Sequence, residues 1–206
     1  MVKGPKEKKE RSLGVRLQVK GERCLSPKCA MVRKPYRPGV QGKSRRIKQL
    51  SDFGRQLKEK QKAKVSYGIN ERTLRQVFGK AFKKSGSTAA NMTAILELRL
   101  DNVVYRMGFA PSRSAARQSI VQGHILVNKK RVWSPGFELK EGNTVAIRPE
   151  SAAKGAFKNL KESLAKYEAP SWLALDLEKL EGKVISLPQE TDLPFEVNSL
   201  VESFSK

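Results

Sequence analysis

Apolar residues return with a helical period in four stretches between Ser51 and Gly123, and with a two-residue period only after that. Ser51 stands where its hydroxyl can cap a helix; Phe53 and Leu57 share one face of it, and Lys58, Lys60, Lys62 and Lys64 coat the rest. That helix is predicted to stop near Gly68. Asn70 can cap a second, in which Leu74, Val77, Phe78, Ala81 and Phe82 recur at i, i+3, i+4, i+7 and i+8. A third is predicted from about Ala94 to Gly108, with Leu96, Leu100, Val103, Val104 and Met107 apolar and Arg99, Asn102 and Arg106 on another side. Ser112 can cap a fourth, closed by Gly123, in which Ala116 and Ile120 face inward and Arg113 and Arg117 lie one turn apart. A hairpin then follows: Ile125 to Val127 is β-prone, Asn128 to Lys130 makes a turn, and Val132 begins the return, with a second strand signal at Thr144 to Arg148. The predicted class is α+β: mainly helical, with a small module in which helices pack on a short, mostly antiparallel β-sheet.

The first fifty residues carry no such period. Gly4, Pro5, Gly21, Pro27, Pro35, Pro38, Gly39 and Gly42 punctuate them, so an irregular, extended arm is expected. Charge changes the picture here. The chain holds 42 Lys and Arg against 20 Asp and Glu, a formal charge of +22 over 206 residues. Residues 1–50 carry +13, residues 51–95 carry +7, residues 96–150 carry +4, and residues 151–206 carry −2. A chain so charged repels itself unless a polyanion neutralises it, and phosphates that release counterions are the natural partner. No stretch approaches the roughly 18 apolar residues of a spanning helix, and Met1 to Lys20 has no apolar signal region, so a soluble, intracellular protein without a membrane partner is expected.

Catalytic constellations lack a component. The chain has one histidine, His124, so no serine or cysteine has an evident base, and Glu178 and Glu181 lie in the charged tail. Gly42-Lys43-Ser44 resembles the end of a phosphate-binding loop, but Arg37 occupies the place of its first glycine. Cys24 and Cys29 could supply half of a zinc site, yet structural zinc takes four ligands and no second pair follows. No enzyme, no cofactor and no metal are expected.

The segment RLDNVVYRMGFAPSRSAARQSIVQGHILVNKKRV, Arg99 to Val132, resembles the small RNA-binding domain of the ribosomal protein S-four family. That domain also occurs in tRNA synthetases, pseudouridine synthases and heat-shock proteins, so the flanks decide. LSDFGRQLKEKQKAKVSYGINERTLRQVF (Leu50 to Phe78), GERCLSPKCAMVRKPYRPG (Gly21 to Gly39), WLALDLEKLEGKVISLP (Trp172 to Pro188) and NSLVESFSK (Asn198 to Lys206) resemble the bacterial small-subunit family itself. The resemblance implies four segments: a basic arm (1–50), a helical domain (51–95), an RNA-binding module (96–157), and a C-terminal segment (158–206) that packs back on the helical domain. Some family members carry two further cysteines near the N-terminus; with Gly4-Pro5 as anchor, Glu7 and Glu10 stand in their places, and carboxylates are poor substitutes in a thiolate site.

The resemblance further implies a structural constituent of the small (30S) subunit, in the cytoplasm or in an organellar ribosome of bacterial type. It implies early binding to 16S rRNA that nucleates the subunit body, contact with protein five and an influence on translational accuracy, near the path by which messenger RNA enters. The expected rRNA contacts are Lys43, Arg45, Arg46 and Lys48 in the arm; Arg55, Lys58, Lys62, Tyr67 and Arg72 in the helical domain; and Arg99, Arg106, Arg113, Arg117 and Lys129 in the module. Asn102, His124 and Asn128 are candidates for base or 2′-hydroxyl contacts. The competing reading is an RNA-modifying enzyme with the same module, but only 56 residues follow Glu150. A repressor that binds its own messenger RNA would be compatible with the ribosomal role.

Overall fold

A computed structural model describes residues 5–44, 49–152, 155–164, 167–188 and 192–205. The chain divides into two compact units, Met1–Thr93 with Glu190–Lys206, and Ala94–Gln189.

In the first unit, α1 (Lys6–Leu13) is followed by two single-turn helices, α2 (Glu22–Leu25) and α3 (Ala30–Arg33), then by α4 (Asp52–Tyr67) and α5 (Glu71–Lys83). The predicted caps are in place. Ser51 Oγ accepts from the Gly54 N–H, Gly68 ends α4 at φ 64°, and Asn70 Oδ1 accepts from the Thr73 N–H. The segment before Ser51 differs from the extended arm expected of it. Leu13 and Leu17 are buried with Val65 of α4, and the buried Glu10 carboxylate accepts from the N–H groups of Leu17 and Val19 at 3.1 and 3.2 Å. Its apolar residues are too few to show a period, but a buried carboxylate that ties two backbone donors organises the chain around it. Cys24 and Cys29 are buried free thiols, and burial pushes the Cys24 thiol up, with Glu10, Cys29 and Glu7 adding to the effect against a backbone hydrogen bond from Lys20. Helix α11 (Val197–Ser205) returns against α4 and α5: Phe204 stacks on Phe78 at 5.2 Å, and Phe195 meets Tyr67 edge-on at 6.1 Å. Phe53, Leu57 and Phe82 remain exposed despite their helical spacing.

Helix α6 (Thr88–Glu97) crosses from the first unit into the second. The single helix predicted from about Ala94 to Gly108 is two, because α7 (Leu100–Arg106) starts afresh after Arg99, whose ψ of 137° is extended. The break has a non-local cause. Leu98 O accepts from the Leu139 N–H and the Leu100 N–H donates to Phe137 O, both at 2.9 Å, so a distant loop takes the backbone groups that a continuous helix would use. After α8 (Arg113–Val121), capped by Ser112 as predicted, come β1 (Ile125–Val127), β2 (Lys130–Arg131), β3 (Thr144–Ile147), the short helices α9 (Pro149–Ala152) and α10 (Leu160–Leu164), β4 (Leu173–Asp176) and β5 (Glu181–Val184).

The strands form one antiparallel sheet in the order β2-β1-β3-β5-β4. This divides the segment 158–206 expected to pack as one piece: its earlier part supplies two strands to the sheet, and the stretch that ends in α11 joins the helical unit. Ile125, Val127, Val145, Ile147 and Val184 turn to one face and bury Leu100, Val103, Met107 and Ile120 of α7 and α8. The fit is close. A Cβ on Gly182 of β5 would stand 2.6 Å from the sulfur of Met107.

Candidate nucleic-acid interface

The positive residues of the second unit separate by what holds them. Asp101 and Glu97 are 2% and 0% exposed, and two buried carboxylates require cations. Arg99 supplies a bidentate contact to Asp101, Nε to Oδ1 at 3.1 Å and Nη2 to Oδ2 at 2.8 Å. Arg106 does the same for Glu97 at 3.1 and 3.3 Å, and the Asn102 amide donates to both the backbone and the carboxylate of Glu97. Arg99 is 6% exposed and Asn102 0%, so neither presents a donor to a ligand, and both are corrected from rRNA contacts to internal fasteners. Helical periodicity set them on a common side, but it could not tell an outer face from one covered by a distant loop.

Asn102 has a further consequence. Its Oδ1 accepts from Arg113 Nε at 2.7 Å, and the Arg113 guanidinium lies 4.7 Å from the centre of the Tyr105 ring. Arg113 is thereby held at the first turn of α8. Arg117, one turn on, makes a 3.7 Å contact with Asp101 and keeps a third of its side chain in solvent. In the β1–β2 hairpin Lys129, Lys130 and Arg131 are all exposed.

The turn itself is unusual. Asn128 and Lys129 have φ of 48° and 65°, the left-handed pair of a type I′ hairpin, in which glycine is favoured at the second place. The Asn128 Oδ1 accepts from the Thr144 N–H at 2.9 Å and so holds the turn to β3. We expect Lys129→Gly to raise the stability of this unit by about 1 kcal/mol, through relief of the left-handed backbone, while lowering RNA affinity; urea unfolding and a binding titration measure the two. His124 Nδ1 pairs with Ser151 Oγ at 2.9 Å and its ring packs edge-on to Phe157, which again favours a structural place.

In the first unit, Arg55, Lys58 and Arg72 have exposed or half-exposed side chains on α4 and α5. Lys62 is instead engaged with Glu59 at 2.6 Å, and Tyr67 is 2% exposed, so Tyr67 is corrected to a core residue. Lys43 lies at the rim of a cleft of about 450 Å³, with its ammonium 5.2 Å from the Tyr36 ring that Arg11 also covers. Arg45, Arg46 and Lys48 fall outside the described residues. Gly42 has a reason unrelated to phosphate: a Cβ there would stand 1.7 Å from the Arg37 carbonyl oxygen.

Lys60 and Lys64 of α4 meet Glu71 of α5 at 3.4 and 3.1 Å. Burial works against ionisation of Glu71, but the hydrogen bond from Lys64 and the charges of Lys60 and Lys64 outweigh it and hold the carboxyl below its ordinary 4.5. A depressed folded-state value means stability that is complete above the unfolded value and lost as pH falls through the folded one. The α4–α5 contact is therefore expected to weaken on acidification below about 4.5, and Glu71→Gln to remove that dependence, read from urea midpoints against pH.

Among the described residues no group of three or more His, Cys, Asp or Glu is placed to hold a metal, and no helix is long and apolar enough to cross a membrane. The family model "Ribosomal protein S4/S9 N-terminal domain" matches residues 1–97, and "S4 domain" matches residues 98–145. The chain is 47% identical to small ribosomal subunit protein uS4A of Alkaliphilus oremlandii over 195 residues, 94% of this chain and 93% of that one. It is 46% identical to uS4 of Acetivibrio thermocellus over the same shares, and 44% identical to uS4 of Roseiflexus castenholzii over 98% of each chain.

Proposed function

The chain belongs to the ribosomal protein S4 family, the uS4 proteins of the small ribosomal subunit, and from that membership we propose that it is a non-catalytic, rRNA-binding structural constituent of the small subunit. The observation that carries the reading is the treatment of charge in the RNA-binding module. Its buried acids are met inside by Arg99 and Arg106, with Arg117 beside Asp101, while Lys129, Lys130 and Arg131 stand exposed on the β1–β2 hairpin. A surface that keeps its cations after the acids are satisfied attracts phosphate.

In the finer reading, the chain binds 16S rRNA early, nucleates assembly of the subunit body and, beside protein five, influences accuracy of decoding. Family membership supports each of these. The fold is proposed to need no metal: Glu10 is already committed to two backbone donors and Glu7 to Arg23, which leaves two thiols and no second pair of ligands. Near-stoichiometric zinc in purified protein would overturn that part.

Binding to the 5′ region of 16S rRNA should weaken with salt, by about 0.7 to 0.9 in log affinity per log salt for each phosphate neutralised. The chain should also sediment with small subunits. A salt-independent affinity, or modified nucleosides in the RNA after incubation, would defeat the structural reading.

A further inference from the structure

Of the two tryptophans, Trp172 is 4% exposed and Trp133 is 57% exposed. An indole left in water is a departure from its usual place and asks for a partner. Trp133 follows directly on the cationic run Lys129 to Arg131, and the Arg131 guanidinium lies 5.6 Å from the centre of its ring. Val132, between them, packs against the core and donates its N–H to Ile125 O, so Arg131 and Trp133 lie together on the opposite side of the chain.

What they rest on is backbone. Gly123, just beyond the C-terminal end of α8, has φ of 76°, and a Cβ there would stand 3.0 Å from Trp133 Nε1 and 3.1 Å from Arg131 Cδ. The absence of a side chain at Gly123 lets both groups settle against the chain with their other surfaces outward. Two exposed side chains are thus set by the fold and not left to wander.

We propose that Trp133 and Arg131 form a stacking platform for one unpaired base of RNA, with Lys129 and Lys130 holding the adjoining phosphates. The proposal rests on the RNA-binding reading above. An indole face accepts any base, a guanidinium adds cation–π attraction, and flanking ammonium groups supply the charge that the backbone needs. A base inside a duplex has no free face, so the platform selects loops, bulges and single strands. Tryptophan and arginine also anchor protein interfaces, but three consecutive cations beside the ring favour a phosphate-bearing partner.

The full chain titrated with single-stranded oligouridylate, with an RNA duplex of equal length, and with the 16S rRNA 5′ region provides the test, read by tryptophan fluorescence and by filter retention. Single strands should quench the wild type and leave Trp133→Phe, whose only indole is the buried Trp172, unchanged. Trp133→Ala should weaken single-strand binding about 5- to 150-fold, the range for loss of one base stack, and Trp133→Phe should restore most of it. Unaltered affinity of Trp133→Ala with no quenching, or equal quenching by duplex, overturns the platform while salt-dependent binding of 16S rRNA leaves the ribosomal reading intact. If Trp133→Ala binds every RNA normally but fails to enter small subunits, the residue is a protein contact and the platform is again overturned. If the wild type binds no RNA, the ribosomal reading falls first.

Discussion

Asp101→Ala is expected to destabilise the 94–189 unit by about 3–5 kcal/mol, the usual cost of stranding one partner of a buried ion pair. The side chains of Arg99 and Asp101 are 8% and 4% exposed, and their bidentate contact sits where Leu100 and Asp101 donate backbone hydrogen bonds to Phe137 O and Pro135 O. Without the carboxylate, the Arg99 guanidinium remains beside Gly136, under the 134–139 loop, with no counter-charge. Arg117 loses its neighbour too. Urea unfolding followed by the buried Trp172 in a Trp133→Phe background reads this unit directly. The paired change Arg99→Met with Asp101→Leu should cost much less than Asp101→Ala alone, because removal of both charges removes the desolvation as well. A cost below 1 kcal/mol for Asp101→Ala would mean that water reaches Arg99 and that the pair is not the fastener described.

Joint replacement of Lys129, Lys130 and Arg131 by alanine should lower rRNA affinity about 100- to 500-fold near 0.1 M salt and reduce the slope of log affinity against log salt by about 2 to 3, if each side chain neutralises one phosphate. The three project from a two-residue hairpin whose strands pair through backbone groups, Leu126 with Arg131 and Val127 with Lys130, so the fold should survive loss of the side chains. Stability unchanged with the slope reduced is the signature of a phosphate contact. An unchanged slope would remove the hairpin from the interface and leave Arg113 and Arg117 to carry it. Replacement of Asn102 would act differently: it should disturb Arg113, and with it RNA binding, through loss of the 2.7 Å contact that positions the guanidinium, and should also cost stability by removing two donors from the buried Glu97. Asn102 is a positioning residue.

Local rules explain why the helix caps were legible in advance. Ser51, Asn70 and Ser112 act on N–H groups three residues away, and Gly68 and Gly123 act through their own φ, so no distant part of the chain is needed to read them. The break at Arg99 was not legible, because its cause is forty residues off in the 137–139 segment. Nor were the two strands that 173–184 adds to the sheet, since a β-ladder declares its partner only once both strands are present.

The same division runs through the candidate interface. The sequence by itself determined a basic chain with a phosphate-bearing partner, an α+β class and, through long stretches of resemblance, the family to which the comparisons assign it. It placed Arg99, Asn102 and Arg106 on one side of a helix and Arg113 and Arg117 one turn apart on the next, because charge and helical spacing are properties of nearby residues. Only the tertiary structure decided their separate tasks. Burial by a distant loop turns Arg99 and Asn102 inward, and the left-handed hairpin carries Lys129 outward. Gly123 leaves room for Trp133 beside Arg131. Whether a cation meets a carboxylate or a phosphate depends on which surface is covered, and coverage is set by parts of the chain that no local pattern brings together.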